Sequence, residues 1–304
     1  MVPDNKIFHC AVIGSSGYIG RHLVYSLNQT SHKLTLFDIQ NPESNHDNQY
    51  HKLDITNRSE VERILWDFDY IFYFAGLTGT YAGFDQYEKF IALNELGLLN
   101  LLSTIRHKKL KPRIIFPSSR LVYKGSDEPL KEDDAKDPKT IYAVNKLSGE
   151  HFIRNYHIAF GIPYNIFRIC VPYGIQTDVE YSFGTIGTFL KMAHQNLPVT
   201  LFGDGSLKRT FTHIEDLCRQ ILTVSFMRES ENQTFNIAGE SYSLEEVAML
   251  VAQKYNVGVK YVSWPEKDLL IESGHTVFDA DRIRAFMKNP LIHQLRNWIN
   301  DYKN

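Results

Sequence analysis

Tyr142 and Lys146, in the stretch Thr140-Ile-Tyr142-Ala-Val-Asn-Lys146, stand four residues apart. On a helix, that spacing puts a phenol and an ammonium on one face, one turn from each other. A fixed positive charge nearby favours phenolate over phenol and lowers the tyrosine pKa. Such a tyrosine can take a proton from a sugar hydroxyl, or return one, near neutral pH. Ser119 supplies a third group. The run Pro112-Arg-Ile-Ile-Phe-Pro-Ser118-Ser119 reads as a buried strand ending in two hydroxyls. In open α/β sheets, ligands lie beyond the carboxyl ends of the strands. A serine there can hydrogen-bond a substrate oxygen and polarise it toward hydride loss or gain.

These groups need a scaffold and a redox partner, and the amino end offers both. Ile7 to Ile13 is a short apolar run rich in strand formers, followed by Gly14-Ser15-Ser16-Gly17-Tyr18-Ile19-Gly20. A helical pattern then runs over Ile19, Leu23, Val24 and Leu27. Strand, glycine turn and helix are the context of a dinucleotide fingerprint. Gly14 can make the tight turn, Gly17 lets the backbone approach a pyrophosphate, and Gly20 lets helix and strand pack closely. The helix start offers N–H groups and a positive dipole end to the phosphates. A second strand, Lys33 to Phe37, ends in Asp38, about the separation expected of an acid that binds ribose hydroxyls. An acid there repels a 2′-phosphate, which points to NAD before NADP.

Alternating units run from Ile7 to about Arg168. Strands are expected near 7–13, 33–38, 49–53, 69–75, 112–118 and 162–168, and helices near 18–29, 58–66, 84–107 and 140–159. This alternation predicts an α/β fold with a doubly wound parallel sheet and right-handed crossovers. Asn41 to Asn48 and Gly125 to Lys139 read as surface loops. From Val171 the alternation loosens into a smaller carboxyl-terminal substrate domain. The boundaries drawn are 1–170 with 213–238 for the dinucleotide-binding domain, and 171–212 with 239–304 for the substrate domain.

The chain has 304 residues and a net charge of −2, which argues against a nucleic-acid or membrane surface. No run of eighteen apolar residues and no basic-then-apolar leader is present, so a soluble, unprocessed protein is expected. Cys10, Cys170 and Cys218 sit in apolar segments without metal spacing and read as reduced packing residues of a cytoplasmic protein. The twelve histidines show no paired ligand pattern, and no metal site is expected.

Taken together, the glycine fingerprint, Ser119, Tyr142 and Lys146 resemble the extended short-chain dehydrogenase/reductase family, with its Rossmann-type sheet. Within it, the chain resembles the nucleotide-sugar epimerase and 4-ketoreductase branch of UDP-galactose 4-epimerase-like enzymes. Leu53-Asp54-Ile55 resembles the segment flanking the adenine, and Tyr73-Phe74-Ala75-Gly76-Leu77 the fourth-strand end lining the cofactor. Asn94 to Asn100 resembles the family's long fourth helix, whose asparagine sits near the catalytic tyrosine. Phe167-Arg168 with Val171-Pro-Tyr173-Gly174 resembles the sixth-strand end. Phe202 to Gly205 with Arg209 to Asp216 resembles the sugar-nucleotide segment, and Arg209 would face the substrate diphosphate. The resemblance implies that Lys146 also holds the nicotinamide ribose. The substrate it implies is a UDP-, dTDP-, GDP- or CDP-linked sugar. Thr78, beyond the fourth strand, and Tyr181, in a glycine-interrupted aromatic loop, could touch that sugar. The resemblance also implies a homodimer through the helices near 84–107 and 140–159.

Dehydratases of this family carry an acid directly after the catalytic hydroxyl, and Arg120 stands at that position. Elimination is therefore disfavoured. Two readings remain: a 4-epimerase that keeps NAD bound, and a 4-ketoreductase that spends one reduced nicotinamide per turnover. Asp38 favours the epimerase. A non-catalytic NAD-binding sensor is a third reading, opposed by the intact Ser119, Tyr142 and Lys146. Two departures bear on the substrate. Val171 replaces an asparagine that contacts the diphosphate, and Glu272-Ser-Gly274-His275 replaces the segment that brings a second diphosphate arginine.

Overall fold

The computed structural model describes residues 6–40, 49–175 and 184–302. The first lobe opens with β1 (His9–Ile13), α1 (Tyr18–Asn28), β2 (Lys33–Asp38), β3 (Gln49–Lys52), α2 (Arg58–Arg63) and β4 (Tyr70–Tyr73). It continues through α3 (Ala82–Asp85), α4 (Tyr87–Ile91), a π-helical turn (Ala92–Leu96) and α5 (Gly97–His107). Next come β5 (Arg113–Ser119), α6 (Ile141–Phe160) and β6 (Tyr164–Ile169). The second half contains β7 (Val171–Tyr173), α7 (Gly184–His194), β8 (Val199–Phe202), β9 (Lys208–His213) and α8 (Ile214–Ser225). It ends with β10 (Gln233–Asn236), β11 (Glu240–Ser243), α9 (Leu244–Tyr255), β12 (Val259–Val262), α10 (Glu266–Leu270), α11 (Asp281–Arg284) and α12 (Leu295–Asp301).

Seven strands form one sheet in the order β10-β6-β5-β4-β1-β2-β3, every pair parallel. This is the doubly wound parallel sheet that the alternation predicted. A parallel sheet is covered on both faces, so its central strands are apolar throughout, and every residue of β4, β5 and β6 is buried. One face packs Val12, Leu23, Leu27, Phe72 and Ile221 beneath α1 and α8. The other packs Ile13, Trp66, Leu101, Ile105, Phe116 and Ile153 beneath α2, α5 and α6. The strand order reverses between β1 and β4, and the crevice above that point is where such sheets bind ligands.

The remaining strands make a three-stranded sheet, β11-β9-β7, and the parallel pair β12-β8. They enclose a third core that includes Tyr173, Ile186, Leu190, Phe211, Val251 and Leu295. The helix expected near 84–107 is interrupted at Gln86, between α3 and α4, and is not uniform. Its π turn admits one extra residue per turn, a local widening common near functional sites, and here it carries Asn94. α6 is sharply bounded. Thr140 Oγ1 accepts the Ala143 N–H at 3.1 Å, and Gly161, in the left-handed region at φ 68°, ends the helix. No helix among the described residues is long and apolar enough to cross a membrane.

Candidate active site

The glycine loop closes the carboxyl end of β1 against β2 and β4. Gly14 lies at φ 82°, and a Cβ there would stand 2.4 Å from the Ala75 nitrogen. At Gly20 a Cβ would stand 2.0 Å from the Gly14 carbonyl oxygen. Both positions therefore require glycine, for turn and for packing. Gly17 is different: its nearest neighbour to a Cβ is 3.4 Å away, so no protein atom excludes a side chain. Gly17 occupies the N-cap of α1 without any capping side chain. The helix start is thus left to an anion, as pyrophosphate binding needs. Asp38, at the end of β2, accepts the Ser16 N–H at 2.9 Å and the Gln40 N–H at 3.0 Å. The carboxylate so placed stands beside the loop where a ribose would lie.

Asp54 and Ile55 follow the end of β3. Asp54 Oδ1 accepts the Thr56 N–H and hydroxyl, while Ile55 is buried and its carbonyl accepts the Asn100 amide at 3.1 Å. Tyr50, which no motif singled out, flanks Asp38 and Ser16. Its signal was hidden because β3 is short and largely exposed. The residues present fit a dinucleotide along this edge.

Toward the middle of the sheet a cleft of ≈ 480 Å³ opens between the lobes. Gly17, Tyr18, Ile19 and Gly20, Phe74, Gly76 and Thr78, and Ser119, Tyr142 and Lys146 all line it. Ala75, between Phe74 and Gly76 in the chain, packs against the core. The Tyr18 hydroxyl crosses to the second lobe and donates to the Gly174 carbonyl at 2.8 Å.

Ser119 ends β5, accepts the Leu121 N–H at 3.2 Å and hydrogen-bonds the Tyr142 phenol. Lys146 is buried, donates to the Pro117 carbonyl at 2.8 Å and lies 4.8 Å above the Phe116 ring. Its ammonium is 5.8 Å from the centre of the Tyr142 ring. Burial pushes Lys146 down to about 8, opposed by the charge of Glu150. Burial pushes the Tyr142 phenol up to about 12, and the Ser119 hydrogen bond and the Arg120 charge pull against it. In this ligand-free site the Lys146 ammonium lies over the rings of both Phe116 and Tyr142, and the Arg120 charge adds a second cation that favours the phenolate.

Two further expectations change. Asn94 does not line the cleft: its Oδ1 accepts the Leu77 N–H at 2.8 Å and its amide donates to the Leu77 carbonyl at 3.1 Å. It braces the loop after β4, with Oδ1 only 2.9 Å from where a Cβ on Gly76 would be. Arg209 does not face the cleft either. It is buried, donates to the Gly274 carbonyl at 2.5 Å and pairs with Glu272 at 2.6 Å. The partner comes from the very segment where the sequence departs from the family pattern. Tyr181 lies outside the described residues.

Elsewhere, His213, Glu215 and His293 bring ligand-type atoms within 4.8 Å of one another. The two imidazoles are stacked, 4.0 Å between ring centres at 25°. His213 Nδ1 instead accepts the Glu215 N–H at the start of α8.

Comparison with known proteins agrees with this geometry. Residues 10–238 match the family described as the NAD dependent epimerase/dehydratase family. The uncharacterized UDP-glucose epimerase YtcB of Bacillus subtilis (strain 168) is 28% identical over 79% of this chain and 80% of its own length. The UDP-N-acetyl-alpha-D-glucosaminuronate decarboxylase of Bacillus cytotoxicus is 26% identical over 84% and 83% of the two chains. In fold, the chain is similar to the UDP-glucose 4-epimerase of Thermus thermophilus in complex with NAD. The TM-score is 0.83 at 21% identity, over 96% of each chain.

Proposed function

The chain belongs to the NAD dependent epimerase/dehydratase family, and we propose that within it the protein is a nucleotide-sugar 4-epimerase. The observation that carries this reading is the convergence of Ser119, Tyr142 and Lys146 in one cleft with the glycine loop. The relatives' substrates point to a uridine diphosphate carrier. Asp38 and the first turn of α1 hold the dinucleotide, and Lys146 holds its nicotinamide ribose. When bound, NAD supplies a hydride acceptor and donor, and its positive ring favours the phenolate form of Tyr142. Tyr142 takes the proton from the sugar 4-hydroxyl and later returns one to the same oxygen. Ser119 hydrogen-bonds that oxygen and keeps it aligned. Thr78, which lines the cleft, contacts the sugar.

The test is incubation of the NAD-loaded protein with UDP-hexoses. The expected result is inversion at C4, seen by NMR, with no net change in reduced-nicotinamide absorbance. Steady consumption of reduced cofactor by 4-keto sugars, without inversion, would make it a ketoreductase. NAD binding without either reaction would make it a sensor.

The same reading includes a homodimer. α4 and α6 pack on each other and leave Tyr87, Ile91 and Val144 exposed by 52, 45 and 42%. Light scattering should give twice the chain mass, and Ile91→Glu should shift the protein toward a monomer. A wild-type monomer at micromolar concentration would refute this part.

A further inference from the structure

The cleft contains an imbalance of charge. Arg209, deep under the second lobe, is matched by Glu272, whose Oε1 also accepts the Ser273 and Gly274 N–H groups at 2.8 and 3.1 Å. Among the described residues Arg120 has no such match. It follows Ser119 directly, lines the cleft with Ser119 and Tyr142, and is half-buried. Its one hydrogen bond among the described residues is a long one, 3.5 Å to the Thr276 hydroxyl, and it makes no ion pair with any of them. A guanidinium held partly out of water beside a second arginine is costly unless an anion meets it. No described residue brings that anion, and a bound ligand would supply it.

Position decides which anion. Arg120 directly follows Ser119, whose side chain hydrogen-bonds Tyr142, and lines the same cleft as both; Tyr142 is the group that in the reading above handles the sugar 4-hydroxyl. In a pyranose, the ring carbons beside C4 are C3 and C5, and C5 carries C6. A diphosphate at C1 lies across the ring from C4. A carboxylate at C6 lies two bonds from it.

We propose that Arg120 pairs with a C6 carboxylate of the substrate, so that the sugar is a nucleotide-linked hexuronate. This inference rests on the epimerase reading for the location of C4. An arginine fork suits a planar carboxylate, which it binds through two parallel hydrogen bonds. Val171, in the same cleft wall, offers no polar contact to a diphosphate, and Arg209 is already committed. The cleft's available cation is therefore directed at the sugar.

The test compares UDP-glucuronate with UDP-glucose, for wild type, Arg120→Gln and Arg120→Lys, all NAD-loaded. Affinity by calorimetry and kcat/KM are both read. Wild type should prefer the uronate by about 10-fold or more, and Arg120→Gln should erase that preference, a loss of ~10–100-fold specific to the uronate. Arg120→Lys should recover part of it. The ratio between the two sugars is the readout, because any effect of Arg120 on Tyr142 is common to both. Equal losses for both sugars would place Arg120 on the diphosphate and overturn the proposal. So would a wild type that does not discriminate, including one that binds neither. Discrimination in binding without inversion at C4 would instead remove the epimerase reading and leave the carboxylate contact standing.

Discussion

Tyr142→Phe should lower kcat by about 10²–10⁴-fold, the range general acid–base groups contribute, while NAD content stays at the wild-type level. The phenol lines the cleft and hydrogen-bonds Ser119. Removing one oxygen leaves the ring and its packing in place. Without the shuttle, the 4-hydroxyl must lose its proton to a weaker base such as water. The measurement is single-turnover inversion at C4, with NAD quantified after denaturing the protein. A residual rate within tenfold of wild type would show that another group carries the proton.

The pH dependence follows the same chemistry. Burial places the phenol high, up to about 12, in the ligand-free site, so the phenolate fraction at neutral pH is small until cationic neighbours are added. Substrate oxidation should therefore accelerate as pH rises through the neutral range. Ser119→Ala removes a bond that pulls the phenol down, so the rising limb should move to higher pH in that variant.

Glu150→Gln is expected to destabilise the fold by about 3–5 kcal/mol, the cost of breaking a buried pair from one side. Glu150 and Arg168 are 0 and 2% exposed and are joined by two hydrogen bonds, at 2.7 and 2.8 Å. Ser118, next to Ser119, donates to the same carboxylate at 2.6 Å, and Arg154 pairs with it at 2.8 Å. Arg168 in turn donates to the Tyr123 hydroxyl and the Glu132 carbonyl, both of them outside α6. The network ties α6, and with it Tyr142 and Lys146, to the ends of β5 and β6.

Burial raises the Glu150 carboxyl, but the bonds and charge of Arg168, with Arg154 and Ser118, outweigh it and leave the group below its ordinary value of 4.5. A carboxyl lowered by folding stabilises the native state above the unfolded pKa, and this is lost as pH falls through the folded value. Wild type should therefore lose stability in acid below about pH 4.5, and Glu150→Gln should lose less over the same interval. Urea titrations at neutral and acid pH would measure both. A variant as stable as wild type at neutral pH would show that the pair does not hold the helix.

The sequence by itself determined the parts that rest on short-range pattern. Gly14 and Gly20 are legible because a turn at positive φ and a 2.0 Å clash are local demands. Tyr142 and Lys146 share a face because a helix repeats every few residues, and Thr140 and Gly161 show where that helix begins and ends. The parallel sheet follows from apolar runs buried on both sides.

Only the tertiary structure decided the electrostatics. Glu272 neutralises Arg209 from sixty-three residues away, a pairing that no spacing rule reveals. Asn94 braces Leu77 because a π turn rotates it there. Arg120, noticeable in the sequence chiefly as an acid's absence, becomes a cleft cation without an acidic partner among the described residues once its neighbours are in place. Charges act through distance and burial, and both are properties of the packed chain.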